Sequence, residues 1–215
     1  MLAKTYGSAV YGVNAFIITI EVDVGQGTQF FMVGLPDSAV KESQQRVEAA
    51  IKFFNYHMPR QKIVVNLAPA DIKKEGSFYD LPIALAILSA SNQVDLPTLD
   101  QYLVMGELSL DGQLRPLRGI LPIAIEARKQ GFKGFILPKE NAREAAIVDQ
   151  LEIIGVTNIK EAVEHLNGKN IIAPMQYDTR ENFEFYQNEY EADFSDVQGQ
   201  ENIKRAFEIA AAGGH

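Results

Sequence analysis

The stretch NLAPADIKKEGSFYDLPIALAIL, residues 66–88, changes character at its midpoint. Up to Tyr79 it is polar, with a glycine at 76, and reads as a loop. From Leu81 to Ser89 it is almost wholly apolar. Asp80 is placed to cap the start, and Pro82 falls in the first turn, where a missing N–H costs nothing. A helix without a polar face is buried on most sides, so other elements must surround it. The segment just before, QKIVVNLAP, reads as a short buried strand.

Upstream, AKTYGSAVYG and NAFIITIEVDVG alternate apolar and polar residues, and TQFFMVGLP follows a turn at residues 25–27; together they predict a β-meander. PDSAVKESQQRVEAAIKFF then switches to helical spacing, with Val40, Val47, Ala50, Ile51 and Phe54 on one face and Asp37 or Ser38 as the cap. Downstream, YLVMGELSLDGQLRP predicts two strands around an Asp111–Gly112 turn. GILPIAIEARKQG predicts a helix ending at Gly131, FKGFILP a strand and KENAREAAIV a short helix. LEIIGV is a further strand, and NIKEAVEHLNG a last helix with Gly168 beyond its end. Strands followed by alternating strands and helices predict an α/β fold, or α+β two-layer sandwich, over residues 1–168.

Residues 169–192 show no clean period and scatter aromatics among acids, as an extended linker would. From 193 the grammar is that of a beginning. Ser195 and Asp196 are placed to cap, a Gly-Gln-Glu turn follows, and Asn202 to Ala212 is amphipathic, with Gly213 and Gly214 after it. A second domain is expected to start at 193–215 and to be truncated.

The chain has 215 residues, 47% of them apolar and 9% aromatic, enough for a packed core. It contains no cysteine, which excludes a disulfide framework, thiolate metal sites and a cysteine nucleophile. No secretory h-region follows Met1, and no apolar run approaches the roughly 20 residues of a membrane span. A cytoplasmic location without membrane contact fits. Net charge is −8, unevenly spread. Residues 1–170 carry 19 acidic and 17 basic side chains, residues 171–215 carry 9 and 3. Neither part has the basic excess of an autonomous nucleic-acid binder.

Ser77, with Lys73 and Lys74 nearby, could form a serine–lysine nucleophile pair, although a polar turn explains the same residues. His57, His165 and His215 lie in separate segments without metal-ligand spacing, and His165 reads as a surface helical residue. No GxGxxG and no Walker A sequence is present. Arg115, Arg118, Arg128, Lys129 and Lys133 form a basic cluster that reads more readily as a solvated face. Asp80 and Glu107 read as capping and hairpin residues.

Three stretches together carry a resemblance: VGLPDSAVKES with RVEAAI, the opening stretch at 66–88, and GELSLDGQLRPLRGILPIAIEARKQGFKGFILPKENAREAAIV. The chain resembles the ComM/YifB family of Mg chelatase-like AAA+ ATPases. Its last residues, FSDVQGQENIKRAFEIAAAGGH, resemble the entry to their AAA+ module. The resemblance implies a Lon protease-like N-terminal (ChlI-type) domain, similar also to the C-terminal domain of RadA. It implies Val197 and Gly199 beside the adenine, with ATP and Mg bound by the full-length protein and no cofactor in this fragment. Lon-type sites carry serine in a KDGPSAG loop and lysine in a GGLKEK stretch. Laid on KEGSFYD and RGILPI, those positions fall on Phe78 and Leu121, so the resemblance implies a scaffold without peptidase chemistry. The implied role is a non-catalytic accessory domain of a hexameric DNA helicase or branch-migration motor in natural transformation. Arg115 and Arg118 are then candidate DNA contacts, and the chain's own AAA+ domain is its first partner. The alternative is the regulatory domain of a chelatase-like or ATP-dependent protease-like machine acting on protein.

Overall fold

A computed structural model describes residues 1–12, 14–177 and 197–213. It divides into two units, Met1–Tyr177 and Asp178–His215.

The first unit is built on a seven-stranded sheet. Its strands are β1 (Leu2–Tyr11), β2 (Asn14–Gly25), β3 (Phe30–Val33), β4 (Lys62–Ala68), β5 (Tyr102–Val104), β8 (Gly134–Pro138) and β9 (Glu152–Val156), in the order β3-β4-β2-β1-β5-β8-β9. β6 (Glu107–Leu108) and β7 (Leu114–Arg115) form a separate two-stranded ribbon. Only β2 runs against its neighbours; all other pairings in the large sheet are parallel. The fold is α/β, as expected.

The helices are α1 (Ser38–Lys41), α2 (Ser43–Phe53), α3 (Asp80–Ala90), α4 (Ile120–Lys129), α5 (Ala142–Ala145) and α6 (Ile159–Leu166). In α3 every residue except Ser89 is buried. Each of its large aliphatic side chains contributes about 1.5–3 kcal/mol of burial. With Val47 and Ile51 of α2, it packs on Ile18, Ile20, Val22, Ile63, Val65 and Leu67 of the sheet. On the other face, α4 and α5 cover Leu103, Phe135, Leu137 and Ile153. α4 also lies against β2 and β1, so helices cover both faces of most of the sheet, and the two-layer arrangement describes only its β3-β4 end.

The predicted meander is corrected. β1 and β2 form the expected hairpin, but β3 does not pair with β2. The chain leaves β3, crosses through α1 and α2, and returns as β4 between them, antiparallel to β2 and parallel to β3. Alternation identifies strands and is blind to their partners. The strand predicted from Tyr102 is also split: Tyr102–Val104 joins the large sheet, and the ribbon begins at Glu107. The 37–54 helix breaks at Glu42, while Asp37 caps as predicted, accepting from Val40 N at 2.7 Å.

The compact unit runs beyond residue 168. Ile172 N donates to His165 Nδ1 at 3.1 Å, and Met175 N donates to Ile153 O at 2.8 Å, along the free side of β9. His165 is thus a buried anchor for this segment and not a surface residue. Burial lowers its pKa. In the second unit, helix α7 spans Glu201–Gly213, close to prediction. Ser195, Asp196, Gly214 and His215 lie outside the described residues.

Gly34 shows how tightly the β3 exit packs. It holds φ +99°, and an added Cβ would lie 2.0 Å from Leu67 O. Both features exclude a side chain. Gly34→Ala is expected to destabilise the domain by about 2–4 kcal/mol in urea unfolding, from overpacking together with backbone strain.

Candidate functional site

The entry to α3 is built on one buried ion pair. Asp80 is fully buried and sits inside the first turn of the helix, which has no side-chain cap. Its expected capping role is therefore corrected. Asp80 accepts two bonds from Arg46 of α2, Nε to Oδ2 at 2.6 Å and Nη2 to Oδ1 at 3.0 Å, and a third from Leu108 N at 3.1 Å. Arg46 also donates to Ala39 O at 2.9 Å. One carboxylate thus joins α1, α2, α3 and the β6-β7 ribbon. Burial pushes the Asp80 carboxyl up to about 6, against the Arg46 bonds and the Leu108 amide, which pull it down.

The loop before α3 is held from beneath. Lys74 is buried, and its ammonium donates to Pro69 O; burial lowers its pKa. Asp37 accepts from Gly76 N at 3.2 Å as well as from Val40 N. Lys73 is exposed and pairs with Glu75 at 2.7 Å. Tyr11 donates to Lys73 O at 2.6 Å, and Tyr79 donates to Ser8 O at 3.0 Å. Burial raises the Tyr79 pKa far above that of a free phenol.

Ser77 does not meet a lysine. Its hydroxyl donates to Glu107 Oε2, and Glu107 Oε1 faces Arg115 Nε at 3.8 Å. Glu107 therefore links the loop to the ribbon, a role beyond hairpin geometry. Phe78 and Leu121 pack against one apolar cluster with Ile120, Ile123 and Met105. Both positions matched to a Lon-type dyad are thus apolar and built into the packing.

The entry to α4 is fixed from the side. Asn141 clamps Leu117, accepting from its N at 2.7 Å and donating to its O at 2.9 Å. Glu144 accepts from Leu121 N at 3.2 Å. Between the two helix openings lies a cleft of 320 Å³, lined by Ser8 to Tyr11 of β1, Lys73, Glu75, Phe78, Tyr79, Arg118, Gly119 and Ile123. Arg118 is exposed at its rim. Arg115, whose side chain is 64% exposed, belongs instead to the Glu107 contact. Among the described residues no three His, Cys, Asp or Glu side chains converge as metal ligands, and no helix is long and apolar enough to cross a membrane.

In the second unit, Val197 is half-exposed and Gly199 holds φ +73°, with open space where a Cβ would lie. Gln200 O accepts from Ile203 N and Lys204 N and opens α7. The backbone at Gly199 is approachable, as contact with a base edge requires. Among the described residues of this turn nothing else would cradle phosphates.

This pairing of a mixed α/β domain, whose cleft lies between two helix openings, with a glycine turn and amphipathic helix defines a class. The family described as subunit ChlI of Mg-chelatase matches residues 20–141, more than half of the chain. Competence protein ComM of Haemophilus influenzae is 40% identical over 215 residues, covering all of this chain and 42% of ComM. The uncharacterized protein YifB of Escherichia coli is 41% identical over 216 residues, covering all of this chain and 41% of YifB. A shorter match, 35% over 92 residues, covers 43% of this chain and 21% of DNA repair protein RadA of Streptococcus pneumoniae. The chain belongs to the Mg chelatase-like ComM/YifB family. It spans about two fifths of the length of the ComM and YifB relatives.

Arg46→Met leaves a fully buried carboxylate without its cation and is expected to cost about 3–5 kcal/mol at pH 7, read by urea unfolding. The cost should shrink toward pH 5, where Asp80 takes up a proton. The ordinary carboxylate value is 3.8, so the folded chain holds this proton more tightly than the unfolded chain. The contribution of Asp80 to stability is therefore greatest below about pH 4 and falls as pH rises through about 6. A carboxyl NMR titration of Asp80 should have its midpoint near 6 and move higher in Arg46→Met.

Proposed function

We propose that this chain is the accessory N-terminal part of a Mg chelatase-like AAA+ ATPase of ComM type that remodels DNA. The observation that carries this reading is the match, over all 215 residues, to a protein named for competence. The shorter match to a DNA repair protein points the same way. In this reading the unit ending at Tyr177 is the Lon-like domain, the residues from there to 192 connect, and 193–215 open the ATPase module. The whole protein binds ATP and Mg, assembles as a hexamer in the cytoplasm and acts as a branch-migration helicase in natural transformation.

Each site residue then has a role. Val197 and Gly199 lie beside the adenine, where a backbone free of side chain reads the base edge. Phosphate contacts come from residues outside this chain, so the chain alone turns over no ATP. Phe78 and Leu121 close the dyad position with apolar packing, and the domain serves as a rigid accessory to the motor. Arg118 at the cleft rim and Arg115 on the ribbon contact the DNA backbone. A near-neutral domain gains useful affinity for DNA when copies arranged in a ring concentrate such side chains.

The first test is ATP turnover by the full-length protein with and without single-stranded DNA. Marked stimulation by DNA is expected. Turnover indifferent to DNA but stimulated by a protein substrate would support the alternative, a chelatase-like or protease-like machine acting on protein. Changing Arg115 and Arg118 together to Ala in the full-length protein should weaken DNA binding and flatten its salt dependence. Unchanged affinity would remove these two residues from the DNA path.

A further inference from the structure

Among the described residues, β3 begins the strand order of the large sheet and has a neighbour on one side only. β4 occupies half of its backbone groups. Ile63 N donates to Gln29 O at 2.8 Å, and the parallel register sets Phe30 beside Ile63 and Met32 beside Val65. Alternate residues of a strand address the same neighbour. Gln29, Phe31 and Val33 therefore bond toward β4, while Phe30 and Met32 turn their N–H and C=O groups outward. Among the described residues no hydrogen bond reaches those four groups.

Exposed edges are usually guarded by charge, by proline or by a bulge. This edge has none of these along the strand. No residue from Val24 to Pro36 carries a charge. Phe31 and Val33 are 42% and 47% exposed, on the face opposite the half-buried Phe30 and Met32. The nearest charge on that face, Lys62, lies one strand inward and sits over the Phe31 ring at 5.5 Å.

We propose that β3 is an interface on which a second copy of this chain pairs antiparallel, with the two-fold axis at Phe31. Three features make β3 self-complementary and so fit a second copy. The first is hydrogen bonding. Two-fold pairing about Phe31 sets Phe30 against Met32 of the second copy, and Met32 against its Phe30. All four outward groups of each strand are then paired at once. Centring the pair on Met32 instead would set Phe30 against Gly34, where the strand has ended.

The second feature is the facing of the side chains. An axis perpendicular to the sheet keeps each face on its own side. Phe31 then meets Phe31 of the second copy on the face where β3 is exposed, and the core-facing Phe30 and Met32 keep their packing. The third is charge. A two-fold contact sets the residues of the paired strands against their own copies, so any charge on them would repel itself; residues 24–36 carry none, and the Lys62 ammonium over the Phe31 ring belongs to the next strand inward. Beyond Val33 the second copy's chain, with its exposed Leu35, runs toward Thr28 and Gln29. There a groove of 560 Å³ opens between β3 and α2, its lining mixed: Phe30, Met58 and Ile63 beside the charged Glu48, Lys52 and Arg60.

The absence of native cysteine allows a direct test on the 215-residue chain. Facing residues in a non-hydrogen-bonded antiparallel pair have Cα atoms about 4.5 Å apart, within disulfide range. Phe31→Cys should therefore cross-link to a dimer under mild oxidation. Phe16→Cys, equally exposed but on the interior strand β2, should not. Sedimentation of the unmodified chain should show a concentration-dependent dimer. Phe31→Lys, which sets like charges opposite each other and removes the ring pair, should weaken it roughly tenfold or more, with the circular dichroism spectrum unchanged. A chain that stays monomeric at millimolar concentration, a dimer that survives Phe31→Lys, or equal cross-linking of Phe16→Cys and Phe31→Cys would each overturn the proposal. A β3 edge reserved for a strand of a different protein would give the first of these results.

Discussion

The first unit is organised around the contact between Asp80 and Arg46. A carboxylate cannot be taken fully out of water unless its charge is met and its lone pairs are occupied. Asp80 opens the most buried helix of the chain, and its two oxygens receive three hydrogen bonds, two from Arg46 and one from Leu108 N. That requirement fixes where α2 lies against α3 and where the β6-β7 ribbon meets both. The loop carrying Ser77 and Phe78 is bound on one side by this contact and on the other by buried Lys74. Burial still outweighs the pairing, since the carboxyl is pushed up to about 6. Losing one partner of such a pair is far costlier than its presence is favourable, because the other charge is left buried alone.

The cleft depends on that arrangement. Its two walls are the openings of α3 and α4, each held by a separate set of polar contacts: Asp37, Asp80 and Tyr79 on one side, Asn141 and Glu144 on the other. Where a serine–lysine pair would need its two groups to converge, Phe78 and Leu121 pack into the apolar cluster under α4. Ser77 is drawn away toward Glu107 and Arg115. A scaffold of this kind can present a rim of charged side chains on a rigid base, which suits the accessory role proposed above. Fold and function remain separable, because chemistry resides in the site and not in the sheet beneath it.

Much of the secondary structure was legible because hydrophobic period and caps are local. α3 was visible as an apolar run, α4 and α6 by their spacing, and the Asp37 cap by residue type. The errors share a different origin. β3 had a clear strand pattern, yet its partner, β4, arrives only after a helical crossover. His165 looked like a surface residue because its helix is amphipathic, and the segment that buries it, ending near Tyr177, has no period of its own. Residue type and position alone make Asp80 a cap; an acid heading a helix with no polar face also calls for a cation elsewhere in the chain. That cation, Arg46, is 34 positions away in sequence.

By itself the sequence determined the α/β class, the positions of most helices and strands, and the family, since these depend on composition, periodicity and local motifs. Only the tertiary structure decided that β4 lies between β3 and β2, that Asp80 pairs with Arg46, and that Ser77 turns to Glu107. It also decided that the backbone of Phe30 and Met32 faces outward on an open edge. These are contacts between residues far apart along the chain, and nothing in a local pattern encodes which of many compatible partners the packed core brings within hydrogen-bonding distance.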